Sequence, residues 1–126
     1  MHIKEKIIMH IDDDMEDCEL FNEALQEVSD AKYVGIYDAA EALILLKRGS
    51  IYPDLIFLDL NMPRMNGREF LIEMKADDTL KNIPVIIFST SNVHEMIRLT
   101  IGLGVSDYVT KPNDYSAFKE MLRAKI

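Results

Sequence analysis

LIFLDLNMPRMNG, Leu55 to Gly67, decides the fold. Its first four residues are apolar without interruption, whereas a strand with one face in water alternates apolar and polar positions. An unbroken apolar run of strand length fits a strand covered on both faces, which is the habit of parallel sheets held between layers of helices. VIIF, Val85 to Phe88, has the same character. With LIFLDL (Leu55 to Leu60), the runs KIIMHI (Lys6 to Ile11), YVGIY (Tyr33 to Tyr37) and YVT (Tyr108 to Thr110) complete a set of five predicted strands.

Stretches of helical period fill the spaces between them. MEDCELFNEALQEV sets Cys18, Phe21, Leu25 and Val28 at spacings of three and four, the apolar stripe of an amphipathic helix with an acidic outer side. DAAEALILLKRG opens on Asp38, a suitable N-cap, and stops at Gly49, a plausible C-terminal glycine. NGREFLIEMKADD, NVHEMIRLTIGLG and DYSAFKEMLRAKI supply three more helices. Strand and helix therefore alternate five times, which reads as an open, doubly wound α/β sandwich with a parallel sheet. No repeat, low-complexity tract or linker interrupts the pattern. Residues 1–126 are expected to form one domain with no output domain attached.

Composition narrows the function. A hydrophobic content of 48% over 126 residues is enough for a real core. Fourteen basic against 22 acidic residues give a net charge of −8, which repels phosphate backbones and anionic lipid, so neither nucleic acid nor membrane is expected as a direct partner. The lone cysteine, Cys18, can form no internal disulfide, and its apolar neighbours point to a packed thiol. With no signal-peptide pattern and no run of membrane-spanning length, a soluble cytoplasmic protein is expected.

The charge is unevenly placed. IDDDMED, Ile11 to Asp17, holds five carboxylates in its last six positions, directly after a predicted buried strand. Asp14 suits an N-cap, and Glu16 and Asp17 fall in the first helical turn, where the macrodipole favours anions. Asp12 and Asp13 lie instead at the carboxyl end of the first strand, the edge at which open α/β sheets bind ligands. The third strand delivers Asp59 to the same edge. If those strands are neighbours, three carboxylates converge, at a cost of several kcal/mol unless a cation joins them or some protonate. An all-oxygen site with room for water suits Mg²⁺ better than Zn²⁺, for which the chain has no Cys and His cluster. The fourth strand runs into Ser89-Thr90-Ser91 and the fifth into Lys111-Pro112. Acids for a metal, a hydroxyl and a lysine together suit a transferring phosphoryl group, whose charge develops on its oxygens.

These motifs, taken in order as IDDD, LDLNMPRMNG, VIIFSTS and DYVTKP, resemble a receiver domain of bacterial two-component signalling, similar to the single-domain, chemotaxis-type response regulators. The likeness runs from about Lys4 to Arg123. KADDTLKNIPVIIFSTS further resembles stand-alone receivers that pair with sensor kinases such as bacterial phytochromes. The resemblance implies a (βα)5 flavodoxin-like fold with strand order 2-1-3-4-5. It implies that Asp59 accepts a phosphoryl group from the phosphohistidine of a sensor histidine kinase or phosphotransfer protein. Asp13 and Asp59 would bind Mg²⁺ directly, with the backbone carbonyl of Asn61 as a third protein ligand and Asp12 acting through a bound water. Lys111 would pair with the acceptor carboxylate and then with phosphoryl oxygens, and the hydroxyl of Ser89 would bond the phosphoryl group. Tyr108 matches the aromatic whose rotamer follows that hydroxyl, and Asn61 and Ser91 match two positions that tune hydrolysis. Signalling would pass through phosphorylation-dependent binding of a downstream protein at the face of the fourth helix, fifth strand and fifth helix, which is also a dimer surface in the family. Such a protein is a switch taking part in its own Mg²⁺-dependent phosphorylation and dephosphorylation, not an enzyme acting on a separate substrate.

Plainer readings stand beside these. Lys111 could be a surface lysine, Ser89 a strand-end hydroxyl bonded to backbone, and Tyr108 ordinary core. His10, inside the first strand, reads as a neutral, hydrogen-bonded core histidine, and His2 and His94 as solvated. Met9, Met74, Met96 and Met121 fall in apolar stripes and read as core filling. Met62-Pro63 and Gly67 fit a turn into the third helix that needs special backbone shapes. Two other functions compete: a phosphorylation-independent adaptor, against which intact Asp13, Asp59, Ser89 and Lys111 argue, and a phosphoaspartyl phosphatase, which wants an acid where Asn61 stands. A flavin sandwich is disfavoured because IDDD would repel the flavin phosphate.

Overall fold

The consecutive apolar runs become strands whose successive side chains enter opposite cores. In a computed structural model, which describes residues 5–60, 62, 65–90, 94, 98 and 102–126, a parallel five-stranded sheet has the order β2-β1-β3-β4-β5. The strands are β1 (Ile7–Ile11), β2 (Lys32–Ile36), β3 (Leu55–Leu58), β4 (Val85–Ser89) and β5 (Asp107–Thr110). Four helices are described: α1 (Met15–Val28), α2 (Ala39–Lys47), α3 (Gly67–Lys75) and α4 (Tyr115–Lys125). The helix expected between β4 and β5 lies largely outside the described residues, although His94 and Arg98 are helical and exposed. Met96 and His2 are also outside them.

Side-chain alternation explains why nothing polar interrupts the central strands. Met9, Ile11, Ile56, Leu58, Val85 and Ile87 face one core, closed by Ala42, Leu43 and Leu46 of α2 and by Phe70, Leu71 and Met74 of α3. Ile8, Leu55, Phe57, Ile86 and Phe88 face the other, closed by Phe21, Ala24 and Leu25 of α1 and by Phe118 and Leu122 of α4. In this second core the rings of Phe21, Phe57, Phe88 and Phe118 meet edge to face, with centroids 5.0–5.9 Å apart. Such pairs add about 0.5–1.5 kcal/mol each beyond their burial.

Caps set the helix ends. Asp14 accepts from the amides of Glu16 and Asp17, Asp38 from Ala40, Asn66 from Glu69 and Asp114 from Ala117. Gly49, at φ 73°, closes α2 in the left-handed region that other residues avoid. The α1 stripe differs slightly from its spacing: Cys18, Phe21, Ala24 and Leu25 are buried, while Val28 at the helix end is half-buried. Of the methionines read as core, Met9 and Met74 are buried and Met121 is half-buried. Among the described residues no helix is long and apolar enough to cross a membrane.

LIFLDL stops being a strand at Leu58, and this matters for the site. Ile11 pairs with Leu58 across the β1–β3 ladder, so the next residues, Asp12 and Asp59, leave the sheet side by side. The Asp59 amide still donates to the Ile11 carbonyl at 3.0 Å, and the Asp12 amide to Ile36 at 3.1 Å. Backbone hydrogen bonds therefore hold two acids together before their side chains do anything.

Candidate functional site

Order β2-β1-β3 puts the reversal of strand order at β1 and β3, the crevice where open α/β sheets bind ligands. Asp12, Asp13 and Asp59 meet there, each offering a carboxylate oxygen within 4.8 Å of the others'. Asp12 and Asp59 are buried and Asp13 is exposed, so the cluster opens to solvent on one side only.

The lysine comes from the far side of the sheet. Ser89, buried at the end of β4, pairs with Thr110, and the Lys111 amide donates to the Ser89 carbonyl at 3.0 Å. From that anchor the Lys111 ammonium crosses the ring of Phe88, 5.9 Å from its centroid, and enters the acidic cluster. It donates to Asp12 Oδ2 at 2.8 Å and to Asp17 Oδ2 at 2.7 Å, and lies 3.5 Å from Asp59 Oδ2. The pairing with the acceptor carboxylate that the sequence implied is thus the longest of its three contacts, and Asp12 bonds the lysine itself.

Electrostatics follow from this crowding. Burial alone raises the Asp12 pKa, but the His10 imidazole, the Lys111 ammonium and the Asp14 amide outweigh it and bring the pKa down to about 2. Burial works against the charge on Lys111 as well, yet its bonds to Asp12 and Asp17 and the nearby Asp59 hold its pKa above the ordinary lysine value. The Lys111 ammonium offsets part of the repulsion among the gathered carboxylates.

Behind Asp12 lies a polar thread through the core. His10 is wholly buried, stacked on Phe21 at 4.2 Å, with Nδ1 3.0 Å from the Tyr33 hydroxyl and Nε2 facing Asp12 Oδ2 at 3.5 Å, an approach at the outer edge of hydrogen-bond distance. Burial lowers its pKa against the raising pull of Asp12, which keeps the imidazole neutral. Cys18 is packed: its thiol reaches the Asp12 carbonyl at 3.4 Å, and burial pushes its pKa up to about 11. Thiolate chemistry is suppressed there.

Asp12, Asp13, Asp59 and Lys111 are brought together, with Ser89 at the neighbouring strand end. Tyr108, one strand further out, is half-buried against the α2–α3 core. Asn61 and Ser91 lie outside the described residues. Two participants were not legible in the motifs. Asp17 read as a first-turn anion, but side chains on a helix lean toward its N-terminus, so a carboxylate three residues after the cap reaches back over the sheet edge. Gly67 read as a turn residue needing an unusual backbone shape. It is instead the first residue of α3, and a Cβ there would lie 2.7 Å from the Asp59 carbonyl oxygen and 2.8 Å from Leu60 Cα, so close approach is what excludes a side chain.

Three carboxylates whose oxygens all lie within 4.8 Å form a hard, all-oxygen donor set that suits a divalent cation of the magnesium, manganese or calcium kind. A flavodoxin-like sheet bearing such acids at its switch point, with a lysine arriving from the last strand, defines the receiver class of signalling domains. The chain belongs to the response regulator receiver domain family, whose model matches residues 8–123. It is 32% identical over 124 residues to the response regulator Rcp1 of Synechocystis sp., spanning 94% of this chain and 84% of that protein. The phosphorylated cyanobacterial phytochrome response regulator RcpA superposes with a TM-score of 0.86 at 35% identity, covering 96% of this chain and 91% of that one. The Mn²⁺-bound form of Rcp1 superposes with a TM-score of 0.83 at 31% identity, covering 94% of this chain and 90% of its own. The protein is therefore a receiver of two-component signalling, a phosphoacceptor switch.

Proposed function

We propose that Asp59 is the phosphoacceptor, that the donor is the phosphohistidine of a sensor histidine kinase or phosphotransfer protein, and that Mg²⁺ is the working cation. The observation that carries this reading is the meeting of Asp12, Asp13 and Asp59 within 4.8 Å, with the Lys111 ammonium 3.5 Å from Asp59. An Asp59 carboxylate oxygen attacks phosphorus; the new O–P bond forms as the P–N bond to the donor imidazole breaks, and that nitrogen keeps the electron pair. Hydrolysis by water returns the carboxylate and inorganic phosphate.

Asp12, Asp13 and Asp59, with the carbonyl of Asn61, would hold the cation, which when bound supplies positive charge to the phosphoryl oxygens. Lys111 supplies the second positive charge. Ser89 gives its hydroxyl to a phosphoryl oxygen, and Tyr108 follows that hydroxyl inward, while Asn61 and Ser91 govern access of the hydrolysing water. A phosphoryl group brings nearly two negative charges, so Lys111 and Ser89 are drawn toward Asp59, and a binding face bounded by β5 and α4 changes for a downstream protein or a second copy. The likeness to phytochrome response regulators supports a light-sensing or related sensor kinase as the donor.

Incubation with Mg²⁺ and a small phosphodonor such as acetyl phosphate tests the reading. Intact-mass measurement should show the gain of one phosphoryl group, lost in Asp59→Asn and in the presence of chelator. Equal labelling of Asp59→Asn would place the acceptor on another residue, and a wild-type protein that takes up nothing would overturn the reading in favour of an adaptor.

A further inference from the structure

The lysine that should serve the acceptor is held more closely by other carboxylates. Lys111 Nζ lies 2.7 Å from Asp17 Oδ2 and 3.5 Å from Asp59 Oδ2. Asp12 also bonds it, but Asp12 belongs with Asp13 and Asp59 to the group whose oxygens lie close enough together to hold a cation. Asp17 stands outside that group. Charge on Asp12 and Asp59 that is shared with a divalent cation attracts the lysine less, while the charge on Asp17 remains fully available to it. Loading the metal therefore strengthens Asp17's relative hold on the ammonium.

We infer that Asp17 is a latch, a positioning residue that competes with Asp59 for Lys111, keeps the Lys111–Asp59 contact long, and must yield the ammonium before it can engage phosphoryl oxygens closely. The inference rests on Asp59 being the acceptor. Its geometry is built in: Asp14 caps α1 by accepting from the Asp17 amide at 3.2 Å, and the Cys18 thiol meets the Asp12 carbonyl one residue later, so the first turn is pinned against the end of β1. Lys111 is equally constrained, by the hydrogen bond its amide donates to the Ser89 carbonyl and by Pro112 behind it. With both backbones fixed, exchange of Lys111 between Asp17 and Asp59 needs only side-chain rotation, and the unmodified protein favours the Asp17 side.

A latch of this kind sets the threshold of the switch. Phosphoryl oxygens must outcompete the Asp17 carboxylate for the ammonium, so removing that carboxylate should ease uptake. Asp17→Asn is the test, with Glu16→Gln as the control that removes the same charge from the same turn and has no contact with Lys111. At saturating Mg²⁺ and a fixed concentration of acetyl phosphate, Asp17→Asn should gain label about two- to fivefold faster than wild type, the effect of losing a partly exposed ion pair. Glu16→Gln should label at the wild-type rate. Similar acceleration in both variants would mean that bulk charge is responsible and would overturn the latch, as would three equal rates. If no protein gains a phosphoryl group, the acceptor assignment falls and the latch with it. A second measurement needs no phosphorylation: in chelator, Asp17→Asn should lower the melting temperature of the wild type but not of Lys111→Met. An equal decrease in both backgrounds would show that the pair makes no net contribution.

Discussion

Asp12 and Lys111 stand 99 residues apart in sequence and 2.8 Å apart in space. Two strands lie between them, since Asp12 follows β1 and Lys111 follows β5, with β3 and β4 in the middle. Asp12 is fully buried and the lysine side chain only 11% exposed, so the pair sits largely out of water. Removing one partner of such a pair leaves a buried charge uncompensated.

Lys111→Met should therefore destabilise the metal-free protein by about 3 kcal/mol. Urea unfolding in chelator gives the loss directly. Adding Mg²⁺ should recover a larger share of stability in the variant than in wild type, because the cation takes over the compensation of Asp12 and Asp59. Equal Mg²⁺ increments in the two proteins would mean that the lysine and the cation do not answer the same charges.

Metal binding should itself appear as stability. Mg²⁺ at about ten times its dissociation constant adds about 1.4 kcal/mol to a protein that binds it only when folded. Asp13→Asn should abolish most of that increment in a thermal melt, since Asp13 is the exposed, solvent-facing member of the cluster and its loss leaves the core untouched. A variant responding as wild type does would remove Asp13 from the site.

Gly67→Ala tests how tightly α3 is laid against Asp59. The added methyl meets backbone at 2.7 Å and 2.8 Å, atoms that cannot rotate away, so a cost of about 1–3 kcal/mol is expected. The displaced atoms are the Asp59 carbonyl and Leu60 Cα, so slower labelling should accompany the lower melting temperature. Alanine at wild-type stability would mean that α3 shifts freely.

Acid should expose the Asp12 pair. The folded pKa of Asp12, lowered to about 2, lies beneath the unfolded value of 3.8, so between them the unfolded chain binds more protons than the folded one. The contribution is present above the unfolded pKa and is lost as pH falls through the folded pKa. In chelator, unfolding free energy should fall by about 2 kcal/mol from this group between about pH 5 and pH 2. The limb should flatten in Lys111→Met, where the folded pKa of Asp12 moves back up; an unchanged slope would place the acid sensitivity elsewhere.

Much of this is legible in the sequence. LIFL and VIIF announced buried parallel strands because a fully covered strand has no polar face to show, and Asp14, Asp38 and Gly49 marked helix ends through capping chemistry that acts over only a few residues. Asp12, Asp13, Asp59, Ser89 and Lys111 stood out because each follows an apolar run, and strand ends in such folds share one edge. His10 was readable as a neutral core residue, though not its approach to Asp12. Asp17 does sit in the first helical turn as its pattern reads, but its bond to Lys111, like the close approach of Gly67 to the Asp59 backbone, was not legible, because local pattern accounts for both residues without reference to the rest of the sheet edge.

Local chemistry, then, was carried by the sequence alone: the alternation of strands and helices, the double burial of the sheet and the kinds of group at its carboxyl edge, all properties of periodicity and residue type over short stretches. Which of those groups touch was decided only in three dimensions. The register of Ile11 against Leu58 sets Asp12 beside Asp59, and the anchoring of Lys111 on Ser89 sends its charge to Asp12 and Asp17 before Asp59. Coulomb interactions depend on distance through space, and no spacing along the chain records that.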